Sequence, residues 1–195
     1  MEPSLRQASH EIAGLKAKAL AAASEILASQ GAEALNLRAI AESAGIGISS
    51  IYHYFANKEQ LLLSLAVKGF EDLAADITRH RADPEHPTPV AAGARAYFGF
   101  AETRPALFSV MFSDRLLARH ETLRAAEHRT FLAFQAGVDT DGRFPADQTG
   151  NVAVALWALG RGIAAMISSQ PGGQLPPEIA ARLWAGVRYL LVHPR

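Results

Sequence analysis

The string Ser49-Ser50-Ile51-Tyr52-His53 carries three hydroxyls and an imidazole, and Lys58 follows shortly after. Serine hydroxyls and a histidine ring can meet base edges, while a tyrosine hydroxyl or an ammonium can hold a phosphate oxygen. At about 100° per residue, a helix over residues 48–55 with Ile51 turned inward sends Ser49 and His53 outward. Ser50 and Tyr52 then sit on the shoulders, Ile48, Tyr54 and Phe55 flank the inner face, and only the hydroxyl of Tyr54 reaches outward. Arg38 is placed for backbone or groove-edge contact. The chemistry these residues suggest is recognition of duplex DNA. Charge gives that idea no general support: the chain has formal net charge +0, and residues 1–65 hold five basic side chains against six acidic ones. Non-specific affinity scales with phosphates neutralised, so DNA binding here must rest on local geometry.

Catalytic and metal chemistry find little in the sequence. There is no cysteine, which excludes disulfides, thiolate ligands and thiol nucleophiles and is most simply read as cytosolic. The seven histidines are scattered. His120-Glu121 lacks the second histidine four residues on that a zinc-protease helix needs, and "GIGISS" follows no strand, as a nucleotide-binding loop would. We therefore expect no cofactor, no metal and no enzymatic activity. No uninterrupted apolar run approaches 18 residues and the N-terminus lacks a signal-peptide layout, so neither a membrane span nor export is expected.

The elements that position these side chains read as helices almost throughout. Alanine and leucine abound, and β-branched residues never alternate with polar ones over a strand length. A first helix covers Gln7 to Gln30, with Gly31 as its stop. Asn36 caps a short helix over Leu37–Ala44. A turn follows, then a third helix from Ile48, and Asn57 caps a long fourth helix. The second and third helices need a small residue at their crossing (Ala41), a residue tolerant of positive φ at the bend (Gly45), and apolar residues turned inward (Ile40, Ala44, Ile46, Ile51). That is a helix-turn-helix, whose second helix can lie in a major groove. "HRADPEHPTP" (80–89) is a proline-rich joint. Beyond it we expect helices over Val90–Thr103, from Pro105, over Ser113–Ala136, Ala146–Ser169 and Glu178–Val192. The class is all-α with about nine helices: a DNA-binding head (7–56), a connecting helix (57–81) and a larger ligand-binding and dimerisation body (82–195).

Residues 12–65 resemble the DNA-binding head of TetR-family transcriptional regulators. "ILASQG", "AIAESAGI", "IYHYF" and "NKEQLL" stand in the order and spacing of the family pattern. The resemblance implies that Tyr52 and Lys58 hold phosphates and that the third helix, Gly47 to Tyr54, reads bases. Two departures are notable. Gly47 stands where a serine N-cap is usual, and Tyr54 where histidine is common. More loosely, "AYFGFAETRPALFSVMF" (96–112) and "LWALGRGIAAM" (156–166) resemble the body of one large group of these regulators, with Arg161 in place of its histidine.

The body is rich in large apolar residues. Phe98, Phe108, Met111, Phe112, Phe131 and Trp157 are candidates to line an apolar effector pocket, each with core packing as the plain alternative. Arg161, set between two glycines on an apolar helix, must either pair with a carboxylate or face a cavity. Val152, Leu156, Leu183, Val187, Leu190 and Leu191 offer an apolar dimer face, and a twofold dimer would bring two heads to sites about one helical turn apart on a palindromic operator. The expected function is thus a homodimeric transcriptional regulator, a repressor released by a small apolar or amphipathic effector. The alternative is a helical small-molecule-binding protein or enzyme that keeps the head as a scaffold, since the reading face lacks Arg, Asn and Gln.

Overall fold

The structure, a computed structural model, describes residues 3–170 and 174–192, with side chains from 14 to 170 and 174 to 190. The glycine pair of the loop before the last helix and the side chain of Leu191 lie outside the described residues. Ten helices are described: α1 (Pro3–Gln30), α2 (Leu37–Ala44), α3 (Ile48–Tyr54), α4 (Lys58–Arg81), α5 (Pro89–Thr103), α6 (Pro105–Met111), α7 (Asp114–Arg119), α8 (Glu121–Asp139), α9 (Thr149–Ser168) and α10 (Pro177–Val192).

Helix α4 organises the fold because its apolar residues recur on more than one face. Leu61, Leu65, Phe70, Leu73 and Ile77 are all buried, and α4 packs against α1, α5, α6 and α8. Gly69 admits α6 closely: a Cβ there would stand 2.6 Å from Met111 Sδ. Thr130 is buried and donates from Oγ1 to the carbonyl of Phe70 at 2.9 Å, which bolts α8 to α4. A single apolar cluster runs from Ala19 in α1 through α4 to Ala164 in α9. Head and body therefore share one continuous core.

The sequence reading joined Ser113 to Ala136 in one helix. The chain instead breaks at His120, whose backbone is extended (φ −120°, ψ 106°) between α7 and α8. The cause is tertiary: His120 Nε2 lies 3.0 Å from Glu59 Oε1, at the start of α4. The two helices thus turn a corner beside the first turn of α4.

The start of α5 is fixed from the far side of the body. Thr88 caps it by accepting from the Ala91 N–H at 3.1 Å, and Asp141 Oδ2 accepts from the Val90 N–H at 2.9 Å. Arg143 pairs with Asp141 and donates to Thr88 Oγ1 at 3.1 Å. The Asp141 side chain is fully buried. Burial works to raise its pKa, but hydrogen bonds from Arg143, the Val90 N–H and Thr88 hold the carboxyl below its ordinary value. Asp141→Ala is expected to cost about 1–3 kcal/mol, because buried donors lose their acceptor. The wild-type contribution is full above the unfolded carboxylate pKa and is lost as pH falls through the lower folded value. Urea unfolding of both proteins at neutral and acid pH checks this: the gap between them should close in acid.

Mean hydropathy adds one observation to the absence of an uninterrupted apolar run. Judged by mean hydropathy rather than by uninterrupted runs, α9 is long and apolar enough to cross a bilayer, and it is the one such helix among the described residues. A helix lying between a core and a second apolar surface needs the same length and composition.

Candidate nucleic-acid interface and ligand site

The turn between α2 and α3 is built by local chemistry. Asn36 Oδ1 accepts from the Ala39 N–H at 2.8 Å and starts α2. Gly45 ends it in the left-handed region, at φ 63°. Its N–H reaches Glu42 O at 3.2 Å, and the next N–H, of Ile46, reaches Ala41 O at 2.9 Å. This pairing satisfies the last carbonyls of the helix and aims the chain into α3. Gly47 starts α3 with no side-chain cap. Ile40, Ile51 and Phe55 are fully buried and lock the crossing.

A Cβ on Gly45 would meet nothing within 4 Å. Gly45→Ala therefore tests backbone strain alone and should cost about 1–2 kcal/mol. Asparagine tolerates this conformation better, so Gly45→Asn should cost less. Thermal or urea unfolding of the pair separates the two.

With Ile51 inward, Ser49, Tyr52 and His53 are exposed, Tyr52 at 58%. Ser50 and Tyr54 are half-buried, and Tyr54 packs edge-on against His53 and Phe55. Ile48 is 40% exposed at the leading edge. Arg38 is exposed and makes no ion pair among the described residues. Lys58 Nζ donates to the Glu33 carbonyl at 3.3 Å, which ties α4 to the α1–α2 loop and leaves further N–H groups for a phosphate. Sequence reasoning missed its neighbour Glu59. That carboxylate lies 3.3 Å from Arg115, 3.4 Å from Arg119 and 3.0 Å from His120. The His120 hydrogen bond, aided by the two arginine charges and against some burial, holds its pKa below the ordinary value. Glu59 thus links the start of α4 to the α7–α8 corner.

The candidate ligand residues divide three ways. Met111 is fully buried beneath Gly69 and is core between α4 and α6, not cavity wall. Phe98 and Trp157 line a small apolar cavity of about 60 Å³ with Tyr97, Phe134 and Ile163. Phe108, Phe112 and Arg161 line an outer cleft of about 390 Å³ with Ser109 and Ser168. Phe131 is half-buried with its ring 5.8 Å from Trp157. Arg161 takes up both roles foreseen for it. It lies 3.4 Å from Glu127 on α8, and its guanidinium stacks 4.9 Å above the Phe112 ring in the cleft. Tyr97 was missed as a polar group. It is 4% exposed, its ring touches Phe98, Phe108, Phe112 and Trp157, and its hydroxyl has no hydrogen-bond partner among the described residues. Burial pushes its pKa well above the ordinary value, Arg161 opposing and Glu127 adding. A wider crevice, about 600 Å³, separates α1 from α4 and the start of α6 and is bounded by Leu20, Ser24, Lys68, Arg104 and Leu107.

The expected dimer residues are split by the helical period. Val152 and Leu156 pack against the core, and Leu156 and Val187 line the small cavity. Leu183 is half-buried, and Leu190 is the one described candidate that stands well exposed. The outward apolar residues of α9 and α10 are Val154, Met166, Ile179, Trp184, Tyr189 and Leu190.

Comparison with known proteins fits this geometry. Residues 19–65 match the family described as bacterial regulatory proteins, tetR family. Residues 90–190, more than half the chain, match the tetracyclin repressor-like C-terminal domain. HTH-type transcriptional regulator Rv1816 of Mycobacterium tuberculosis (strain ATCC 25618 / H37Rv) is 35% identical over 97 residues, 48% of this chain and 42% of that protein. The chain thus spans about two fifths of the length of the curated relatives it matches. A protein of unknown function from Rhodococcus sp. RHA1 is 25% identical with a TM-score of 0.66, over 88% of this chain and 94% of that one. The TetR family transcriptional regulator PfmR from Thermus thermophilus shares the fold, at 17% identity and a TM-score of 0.60, over 91% of this chain and 98% of its own.

Proposed function

Because the chain belongs to the tetR family of bacterial regulatory proteins, a family of DNA-binding transcriptional regulators, we propose that it is a homodimeric repressor released from a palindromic operator by a small effector. It works in the cytoplasm, where that DNA lies. Residues 7–56 form the DNA-binding head, 57–81 the connecting helix and 82–195 the ligand-binding and dimerisation body. The observation that carries this reading is the capped α2–α3 turn, which holds Ser49, Tyr52 and His53 outward on a helix locked from behind by Ile51. Ser49, Ser50 and His53 face bases, with Gly47, Ile48 and Tyr54 at the edges of the contact. Arg38, Tyr52 and Lys58 hold phosphates. Since no long base-reading side chain stands on α3, DNA shape supplies part of the specificity.

Two copies join through the outward faces of α9 and α10, with Val154, Met166, Tyr189 and Leu190 at the contact. Val152, Leu156, Leu183 and Val187 support that contact from inside each copy. The effector lies among Phe98, Phe108, Phe112, Phe131, Trp157 and Arg161. Helix α8 carries Glu127 beside that site and follows directly on His120, which lies beside Glu59, so a shift of α8 on ligand binding moves the first turn of α4 and the spacing of the two heads.

The test is selection of genomic fragments by the purified protein, followed by binding of the selected fragment to variants. Tyr52→Phe and Lys58→Ala should each weaken binding about tenfold or more, as expected for loss of charge-assisted phosphate contacts in both copies. Unchanged binding in both variants would remove the assigned roles. Failure to retain any fragment at low salt would favour a scaffold-only head.

A further inference from the structure

The chemistry of the effector follows from the polar groups inside the aromatic cluster, given the ligand-responsive reading above. Four rings surround Tyr97, with centroids 5.3–5.6 Å away for Trp157, Phe108 and Phe98 and 6.3 Å for Phe112. Its buried hydroxyl finds no partner among the described residues. Buried polar groups are rarely left so. Phe108 and Phe112 belong both to this cluster and to the wall of the outer cleft, so these two rings meet the Tyr97 ring on one side and the cleft on the other. Phe112 ends α6 and is only half-buried, so its ring is the one that has to turn for a ligand in the cleft to reach the hydroxyl. At about 390 Å³ the cleft has the size of a small-ligand site.

We propose that the effector is an uncharged ring compound bearing a carbonyl oxygen, which accepts a hydrogen bond from the Tyr97 hydroxyl. The charges at the site choose among the alternatives. Arg161 and Glu127 already neutralise each other at 3.4 Å, and Arg161 also covers the face of Phe112. A carboxylic acid would set a second carboxylate beside Glu127 for one guanidinium. A cation could pair with Asp114, the exposed carboxylate that also lines the cleft, but it would bring no acceptor to the Tyr97 hydroxyl. A hydrocarbon would fill the space but leave the hydroxyl unpaired. A neutral carbonyl supplies the missing acceptor without adding charge, and the rings supply its apolar walls.

The experiment is calorimetric titration of the full chain with 2-acetylnaphthalene, 2-ethylnaphthalene and 2-naphthoate, alongside one-ring and three-ring aryl ketones. The ketone is expected to bind at least tenfold more tightly than the ethyl compound or the acid of the same ring system. In Tyr97→Phe the ketone should fall to the level of the ethyl compound, whose own affinity stays unchanged. Thermal unfolding of that variant should be unaltered or raised, because it loses only an unpaired hydroxyl. Equal binding of ketone and ethyl compound, tightest binding by the acid, an unchanged ketone affinity in Tyr97→Phe, or no binding by any ketone of the series would overturn the proposal. Operator release by an acid or a cation would overturn this ligand class while upholding the regulatory reading. Operator binding that no fraction of a small-molecule extract relieves would count against the regulatory reading itself.

Discussion

Replacing Ser49 by glutamate should leave the protein folded while lowering its affinity for operator DNA by two orders of magnitude or more. Ser49 is exposed on the outward face of α3, so the larger side chain displaces no neighbour. A carboxylate in the first turn of a helix is favoured by the helix dipole, and exposed substitutions of this kind change stability by within about 0.5 kcal/mol. Against DNA the same charge faces phosphates and base edges at close range. Like-charge juxtaposition costs several kcal/mol, and each 1.4 kcal/mol is a factor of ten. Ser49→Gln supplies the control of nearly equal size. It should lose far less, because it adds bulk and hydrogen-bonding capacity without charge. Fluorescence anisotropy with a labelled operator reads the affinities, and urea unfolding reads the fold. Equal losses for both variants would mean that shape, not charge, limits the contact at this position.

The largest stability effect is expected at Phe70. Its ring is fully buried, meets Phe112 edge-to-face at 5.1 Å, and sits where α4 is bolted to α8 through Thr130. Phe70→Ala removes the ring and leaves a cavity that the helices on either side cannot close, and such truncations cost about 3–5 kcal/mol. That is a large share of the roughly 5–15 kcal/mol by which domains are stable. Because one apolar cluster spans head and body, the loss should be felt by both. The urea midpoint should fall with the slope unchanged, and far-UV circular dichroism should report the same transition as tryptophan fluorescence, whose two reporters lie in the body. A head that melts separately from the body in the wild type would contradict the shared core.

What was legible in the sequence was what local chemistry decides. Asn36 and Asn57 cap the helices they precede, Gly45 adopts the left-handed bend assigned to it, and Ile51 turns inward while Ser49 and His53 turn outward. Each of these depends on residues within one or two turns. The break at His120 was not legible, because nothing between Ser113 and Ala136 opposes a helix. The residue that holds the break open is Glu59, 61 positions away. The partnership of Arg161 with Glu127 is hidden in the same way, 34 positions apart. On α9 the apolar residues were visible but their division was not. The small cavity claims Leu156 and the outside claims Val154, and only the packing of α5 and α8 decides between them. Tyr97 was hidden for a subtler reason. Among so many aromatic residues its ring gave no signal, and its unpartnered hydroxyl is a property of the assembled core.

Arg38 on α2, helix α3 and the first turn of α4 are proposed to hold DNA through a small, defined set of contacts. The most direct test is the salt dependence of binding to the selected operator fragment, in wild type and in Lys58→Ala. With Arg38 and Lys58 from each of two heads on phosphates, the logarithm of the binding constant should fall linearly with the logarithm of salt concentration, with a slope of roughly −3.6 from these four contacts. Lys58→Ala should make that slope shallower by about 1.8, one contact being lost from each copy. A slope near zero, or one that Lys58→Ala leaves unchanged, would contradict the account.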